Sequence, residues 1–452
     1  MTAAMTAPLA YWDPEDRNFW SREGAGVARR NLAVSAAALV LSFAVWMLWS
    51  VMVVELPHAG FRFSTDQLFW LAAAPGLAGG TLRLLFAFLV PIFGGRNWTV
   101  ASTLLLLVPC IGLALAVQDP STGYPTFLLL ALAAGIGGGN FASSMANISF
   151  FFPADRKGTA LGINAGVGNL GVSLVQLVVP LVIAVPLLAS LGAPQLHHDA
   201  LPAREVWLQN AGYVWVPAIL VVAFLAWRRM DDVEAVRASL GDQAGVVTRR
   251  ETWVLCWLYL GTFGSYVGFA AGFPLLAQTQ FAGVEPTLYA FIGPLLAALS
   301  RPLGGALADR FGGARVAAGC FIAMALAISA LLAGPRLYGV FLAGFAVLFA
   351  ASGAGNGAVF QLIPHVFAGL HARKHADAED AARAASLEAA AALGLASGIG
   401  AFGGFFIPKA YGTAVTQTGG TGAALLLFLV FYLSCIATAW WIHARATALR
   451  TA

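Results

Sequence analysis

Two arginines stand where a charged side chain is hardest to keep. Arg83 lies in Thr81 to Gly95, TLRLLFAFLVPIFGG, and Arg301 in Ser300 to Gly313, SRPLGGALADRFGG, runs that are otherwise apolar enough to enter a membrane. Their numbers differ by 218, as do those of the pairs Gly94/Gly95 and Gly312/Gly313, so the arginines occupy equivalent points of two halves. An arginine at the centre of a membrane helix costs about 2.5–3.5 kcal/mol and usually faces a cavity on a substrate path. No Asp or Glu lies deep in an apolar run to neutralise either one: Glu55 and Glu285 fall at one set of ends and Asp309 at the other. Backbone carbonyls or water could satisfy part of a guanidinium, but the chemistry this pattern predicts is anion binding. Two guanidinium groups about 8 Å apart repel by about 2 kcal/mol at an effective dielectric of about 20, and an anion held between them removes that repulsion. The planar fork of donors suits nitrate, nitrite or a carboxylate better than a spherical ion.

The elements that must position these groups are membrane helices. Of 452 residues, 59% are hydrophobic and only 10% charged, against about 25% charged in soluble domains, which excludes an ordinary soluble enzyme or binding module. Twelve apolar runs are long enough to cross a bilayer core of about 30 Å, at roughly 31–54, 68–91, 97–118, 124–151, 159–190, 206–227, 252–276, 287–308, 316–334, 338–367, 387–413 and 421–442. Assigned alternately from an inner N-terminus, they leave 19 of the 25 Lys and Arg inside and four outside, Arg62, Arg204, Arg336 and Lys409. That bias predicts cytoplasmic termini. The first twenty residues lack the apolar core of a cleavable signal. Cys110, Cys256, Cys320 and Cys435 all fall within spans and read as small apolar residues. His197, His198 and Asp199 lie in an outer loop without further ligands, so no metal and no cofactor is expected.

The charged stretch 228–251 divides the chain near its midpoint and predicts a cytoplasmic N-terminal tail over 1–30, a six-helix bundle over 31–227, a linker over 228–251, a second bundle over 252–442 and a tail over 443–452. A duplication supports the division. Gly162, Gly166, Gly168 and Gly171 recur as Gly394, Gly398, Gly400 and Gly403, each 232 residues on, with Gly404 following. Gly137-Gly-Gly-Asn140 recurs as Gly353-Ala-Gly-Asn356, and Phe43 aligns with Tyr259. Such repeats frame a substrate site near the bilayer midplane. GVGNLG fits a dinucleotide fingerprint, but no strand precedes it, and glycines at this spacing let membrane helices approach closely. Asn164 and Asn169 need partners inside the membrane, either another helix or a substrate. Only the first half has them, since Ala396 and Ala401 replace them in the second. Tyr259 offers a hydroxyl to an anion, while Phe43, Phe141 and Phe263 serve equally well as packing.

With these residues in view, the chain resembles the nitrate/nitrite porter family of the major facilitator superfamily, and closely its NarK-type members. The resemblance runs from about Asn31 to about His443 and rests on STDQLF (64–69), VPIFGGR (90–96), NFASSMANISFFFP (140–153), GNLGVS (168–173), YLGTFGSYVGFAAGF (259–273), GGALADRFGGARV (304–316) and GGFFIPKAYG (403–412). It implies an all-α membrane protein with twelve helices in two pseudo-symmetric bundles. Arg83 and Arg301 would clamp the anion, Tyr259 and Asn169 would hydrogen-bond it, and Phe141 and Phe263 would wall it above and below, with Phe43 nearby. The helices carrying Gly162 to Gly171, with Asn164, and Gly394 to Gly404 would bend or slide as the cavity changes sides. One departure is Ala165, where relatives often have glycine. The expectation is a monomeric nitrate/nitrite exchanger of the bacterial inner membrane with the lipid bilayer and the two anions as partners and no nucleic acid. Proton-coupled symport would need an intramembrane carrier, for which His365 is the candidate. A receptor or a membrane enzyme is disfavoured, because no signalling domain and no nucleophile–base pair accompanies the spans.

Overall fold

The computed structural model describes residues 9, 11–197, 204–233, 245–372 and 377–451. Among them, twelve helices are long and apolar enough to cross a membrane: Arg17–His58 (α1), Thr65–Phe86 (α2), Gly95–Ala116 (α3), Tyr124–Phe151 (α4), Ala154–Ile183 (α5), Asn210–Arg229 (α6), Arg250–Gln280 (α7), Pro286–Phe311 (α8), Gly313–Ala333 (α9), Tyr338–His371 (α10), Ala378–Thr418 (α11) and Gly422–Ala444 (α12). Their ends follow local rules. Ser64 and Gln67 form a reciprocal capping box at the start of α2. The turns into α3 and α9 hinge on Gly94 and Gly312, at φ +84° and +91°. Only glycine adopts that conformation freely, which explains why the glycine pairs recur at the same spacing as the arginines.

The two halves pack alike: α1 on α5 and α2 on α4 in the first, α7 on α11 and α8 on α10 in the second. This is the expected architecture of two pseudo-symmetric six-helix bundles. At the N-terminus the structure departs from a tail ending at residue 30. The Asp16 side chain accepts from the Asn18 and Phe19 N–H groups and starts α1 at Arg17. The segment before it is docked, with Trp12 Nε1 donating to the Phe150 carbonyl at 2.9 Å and the Ala154 N–H donating to Glu15. On the same face, Asp231 pairs with Arg30 at 2.6 Å, and Asp232 accepts from the Arg96 N–H at 2.8 Å. Burial pushes the Asp232 carboxyl above its ordinary range, and Arg96 pulls it back. Arg96 thus uses the start of the linker as its acid.

The bundles meet mainly at the face that the charge count assigns to the outside. There Lys409 of α11 pairs with Asp66 of α2 at 2.5 Å, and Gln278 of α7 bonds His58 of α1. Deeper, Gln176 Nε2 donates to the Ala270 carbonyl and Ser173 to the Phe291 carbonyl. Glu55 is only 5% exposed, so the end of its span is sealed by the opposite bundle rather than open to water. His197, expected at the surface, stacks on His58 with ring centroids 4.5 Å apart, while His198 and Asp199 lie outside the described residues. Toward the inner face no such bonds cross among the described residues, and a methyl added at Gly158, Gly162 or Gly166 of α5, or Gly394 of α11, would meet no atom within 4 Å. The molecule is closed outside and parted inside. Asp66→Asn should therefore loosen the outer closure by only a few-fold, since its pair is partly exposed and such pairs are worth about 0.2–1 kcal/mol; accessibility of a cysteine placed at the outer interface would measure it.

Candidate anion site

Helix contact through glycine decides where Arg83 can reach. A methyl at Gly138 would collide with Gly79 and the Trp46 indole, so α2 and α4 touch backbone to backbone. One turn beyond Gly79, Arg83 Nε donates to the Gly138 carbonyl at 3.0 Å. A methyl at Gly398 would strike Leu84, so α11 also lies close, and Arg83 Nη1 donates to the Ser397 carbonyl at 3.1 Å. Nη2 has no partner among the described residues, and Arg83 is 1% exposed. Carbonyls therefore engage Nε and Nη1 and leave both N–H groups of Nη2 unspent.

Aromatic faces surround the same guanidinium. Its central carbon lies 4.5 Å from the Phe141 ring centroid, 5.1 Å from Phe263, 5.2 Å from Trp46 and 5.9 Å from Phe43. Each such face is worth about 0.5–2 kcal/mol to a desolvated cation, which offsets part of the cost of burial. Phe43 stacks on Phe141, and Phe141 stacks on Phe263 across the bundles at 6.2 Å. The two expected wall residues thus lie against the arginine itself in this conformation.

Arg301 is held more loosely. Its carbon lies 5.5 Å from the Phe360 ring, it is 7% exposed, and neither Nη1 nor Nη2 has a partner among the described residues. One segment of α7 lies against Arg83. Residues Leu260–Gly264 make a π-helical turn, an irregularity that recurs at functional sites. It follows Tyr259, which is fully buried with an unpartnered hydroxyl within electrostatic reach of Arg83. It contains Phe263, which faces Arg83, and it precedes Tyr266, which lies within electrostatic reach of Arg301 and donates to the Asn169 carbonyl at 3.0 Å. A methyl at Gly400 would meet Tyr259 and Phe263, so this glycine lets α11 support the segment.

The sequence candidates therefore divide. Arg83, Tyr259, Phe43, Phe141 and Phe263 gather in one cluster, the Asn169 carbonyl reaches it through Tyr266, and Arg301 stands against Phe360. Asn164 does not join them: its Nδ2 donates to Ser144 Oγ at 2.8 Å, so it binds α5 to α4 within one bundle. Gly168, Gly171, Gly398, Gly400 and Gly403 are close-packing positions, and Gly404 receives Gly76 of α2, whereas Gly162, Gly166 and Gly394 face open space in this conformation. His365 Nδ1 lies 2.7 Å from the Gln361 carbonyl of its own helix. Sequence reasoning missed Trp46, Tyr266 and Phe360. Trp46 could have been found by its place three residues after Phe43, on the same helix face.

The donors left without a partner at these positions, among the described residues, are Arg83 Nη2, Arg301 Nη1 and Nη2 and the Tyr259 hydroxyl, a set whose chemistry suits an oxyanion. The model of the Major Facilitator Superfamily matches residues 34–377. The chain is 47% identical over 450 residues to the nitrate/nitrite transporter NarU of Salmonella typhimurium, covering 97% of this chain and 96% of that protein. It is 39% identical over 446 residues to the probable nitrate/nitrite antiporter NarK2 of Thermus thermophilus, covering 96% of each. In fold it is similar to the inward-open xylose transporter XylE of E. coli, with a TM-score of 0.64 and 15% identity over 90% of this chain and 95% of that one. The chain belongs to the nitrate/nitrite porters of the major facilitator superfamily.

Proposed function

We propose that this protein moves nitrate and nitrite across the bacterial inner membrane by alternating access, exchanging one for the other, with both termini in the cytoplasm and the anion held between Arg83 and Arg301. The observation that carries the reading is the pair of buried guanidinium groups, one from each half, whose Nη donors lack partners among the described residues. Its support in kind is the similarity to the relatives named for nitrate and nitrite. Exchange follows from the charges. Without a substrate the site holds two cations that oppose closure, and an anion neutralises enough of that repulsion for the bundles to rock. Proteoliposomes preloaded with nitrite should take up labelled nitrate, and empty ones should not. Equal uptake by both would refute exchange, and collapse of uptake with a protonophore would point to proton symport.

A further inference from the structure

We propose that Tyr266 is a positioning residue whose hydroxyl ties α7 to α5 across the site while it is empty and releases α5 when an anion is bound. The inference rests on the exchange reading and deepens it. Two polar bonds between the bundles lie at the site itself, and they are crossed. Arg83 of the first bundle donates to the Ser397 carbonyl in glycine-rich α11, and Tyr266 of the second donates to the Asn169 carbonyl in glycine-rich α5. With the duplication offset of 232, residue 169 corresponds to 401, one turn beyond 397. Each half grips the equivalent helix of the other at nearly the same level.

A phenol has one proton to donate. Tyr266 is 3% exposed, its ring packs on Phe263 with centroids 6.0 Å apart, and Arg301 lies within electrostatic reach of its hydroxyl. An anion entering between the arginines reaches the same proton that the Asn169 carbonyl holds. A charged acceptor makes a bond roughly twice as strong as a neutral one, so the hydroxyl turns to the anion and the tie to α5 is lost. Arg83 behaves in parallel, with Nη2 already free to begin the exchange of partners. The empty carrier keeps both ties and stays closed outside; the loaded carrier can open. This route to obligatory exchange acts through hydrogen bonds and adds to the charge repulsion.

Tyr266→Phe keeps the ring and removes only the tie. In nitrate uptake, the ratio of empty to nitrite-loaded vesicles should rise roughly five- to tenfold, the effect of one buried hydrogen bond. A second measurement needs no substrate: spin labels replacing Arg62 and Thr279, on opposite bundles at the outer face, in a background without the native cysteines. Tyr266→Phe should add a longer-distance population to the substrate-free protein. A distance distribution identical to that of the parent overturns the tie, whatever uptake does. A parent inactive in both kinds of vesicle would overturn the exchange reading, and the distances would still decide the role of Tyr266.

Discussion

Arg83→Lys should lower nitrate/nitrite counterflow at least a hundredfold, although the charge is kept. An arginine at this point donates to the Gly138 carbonyl on α4 and the Ser397 carbonyl on α11, and still presents Nη2. A lysine ammonium carries three donors at one point and cannot span carbonyls on two different helices while also meeting an anion. Hydrogen bonds to charged groups contribute about 1.5–3 kcal/mol each, so losing one or two of them reaches that magnitude. The lysine would also leave the flat contacts with Phe141, Phe263 and Trp46, where a planar guanidinium stacks. Arg301→Lys should be milder, about ten- to a hundredfold, because that side chain makes no carbonyl bond among the described residues and loses only its fork. The asymmetry is the informative part. Initial rates of labelled nitrate entry into nitrite-loaded vesicles measure it, and wild-type rates in Arg83→Lys would remove the case for planar anion recognition.

That asymmetry was not legible in the sequence, and the reason is physical. The arginines were conspicuous because a cation within an apolar run is costly, and the twelve spans followed from length and hydropathy. What the sequence could not reveal is which way each helix faces. In water a helix has a polar and an apolar side, but here lipid and core are equally apolar, so Trp46 and Phe360 look no different from the many aromatic residues that pack elsewhere. Backbone acceptors are also silent: nothing in the composition shows that the carbonyls of Gly138 and Ser397 are within reach of Arg83. The π-helical turn before Tyr266 leaves only the hint of Gly261 and Gly264. Conversely, Asn164 was conspicuous as a polar residue in a span, yet its Nδ2 donates to Ser144 of the neighbouring helix, a pairing that the sequence does not show. The start of α1 was missed because its first turns are charged rather than apolar, although Asp16 is a legible cap.

The glycines should separate into two groups that block transport in opposite ways. At Gly76 of α2, an added methyl would fall on the backbone of Gly404 and Phe405 of α11, where no side-chain movement can make room. This contact belongs to the conformation in which the outer face is closed. Overpacking costs about 1–3 kcal/mol, which shifts that equilibrium by about five- to more than a hundredfold, so Gly76→Ala should hold the carrier open outside. Gly162 of α5 meets nothing within 4 Å in the inward-open arrangement, and Gly162→Ala should leave this conformation undisturbed. If the inner halves of α5 and α11 come together when the carrier turns outward, as their glycines at 162 and 394 imply, the same methyl then obstructs that closure. Both variants should lose exchange, but distances between labels on the outer ends should lengthen in Gly76→Ala and stay short in Gly162→Ala. Two losses of activity with the same distance distribution would mean that the glycines act through stability alone. A lengthening in Gly76→Ala alone would show that each set of small residues serves the closed contact of one state, which explains why the duplicated pattern occurs in both halves even though only part of it is packed in this conformation.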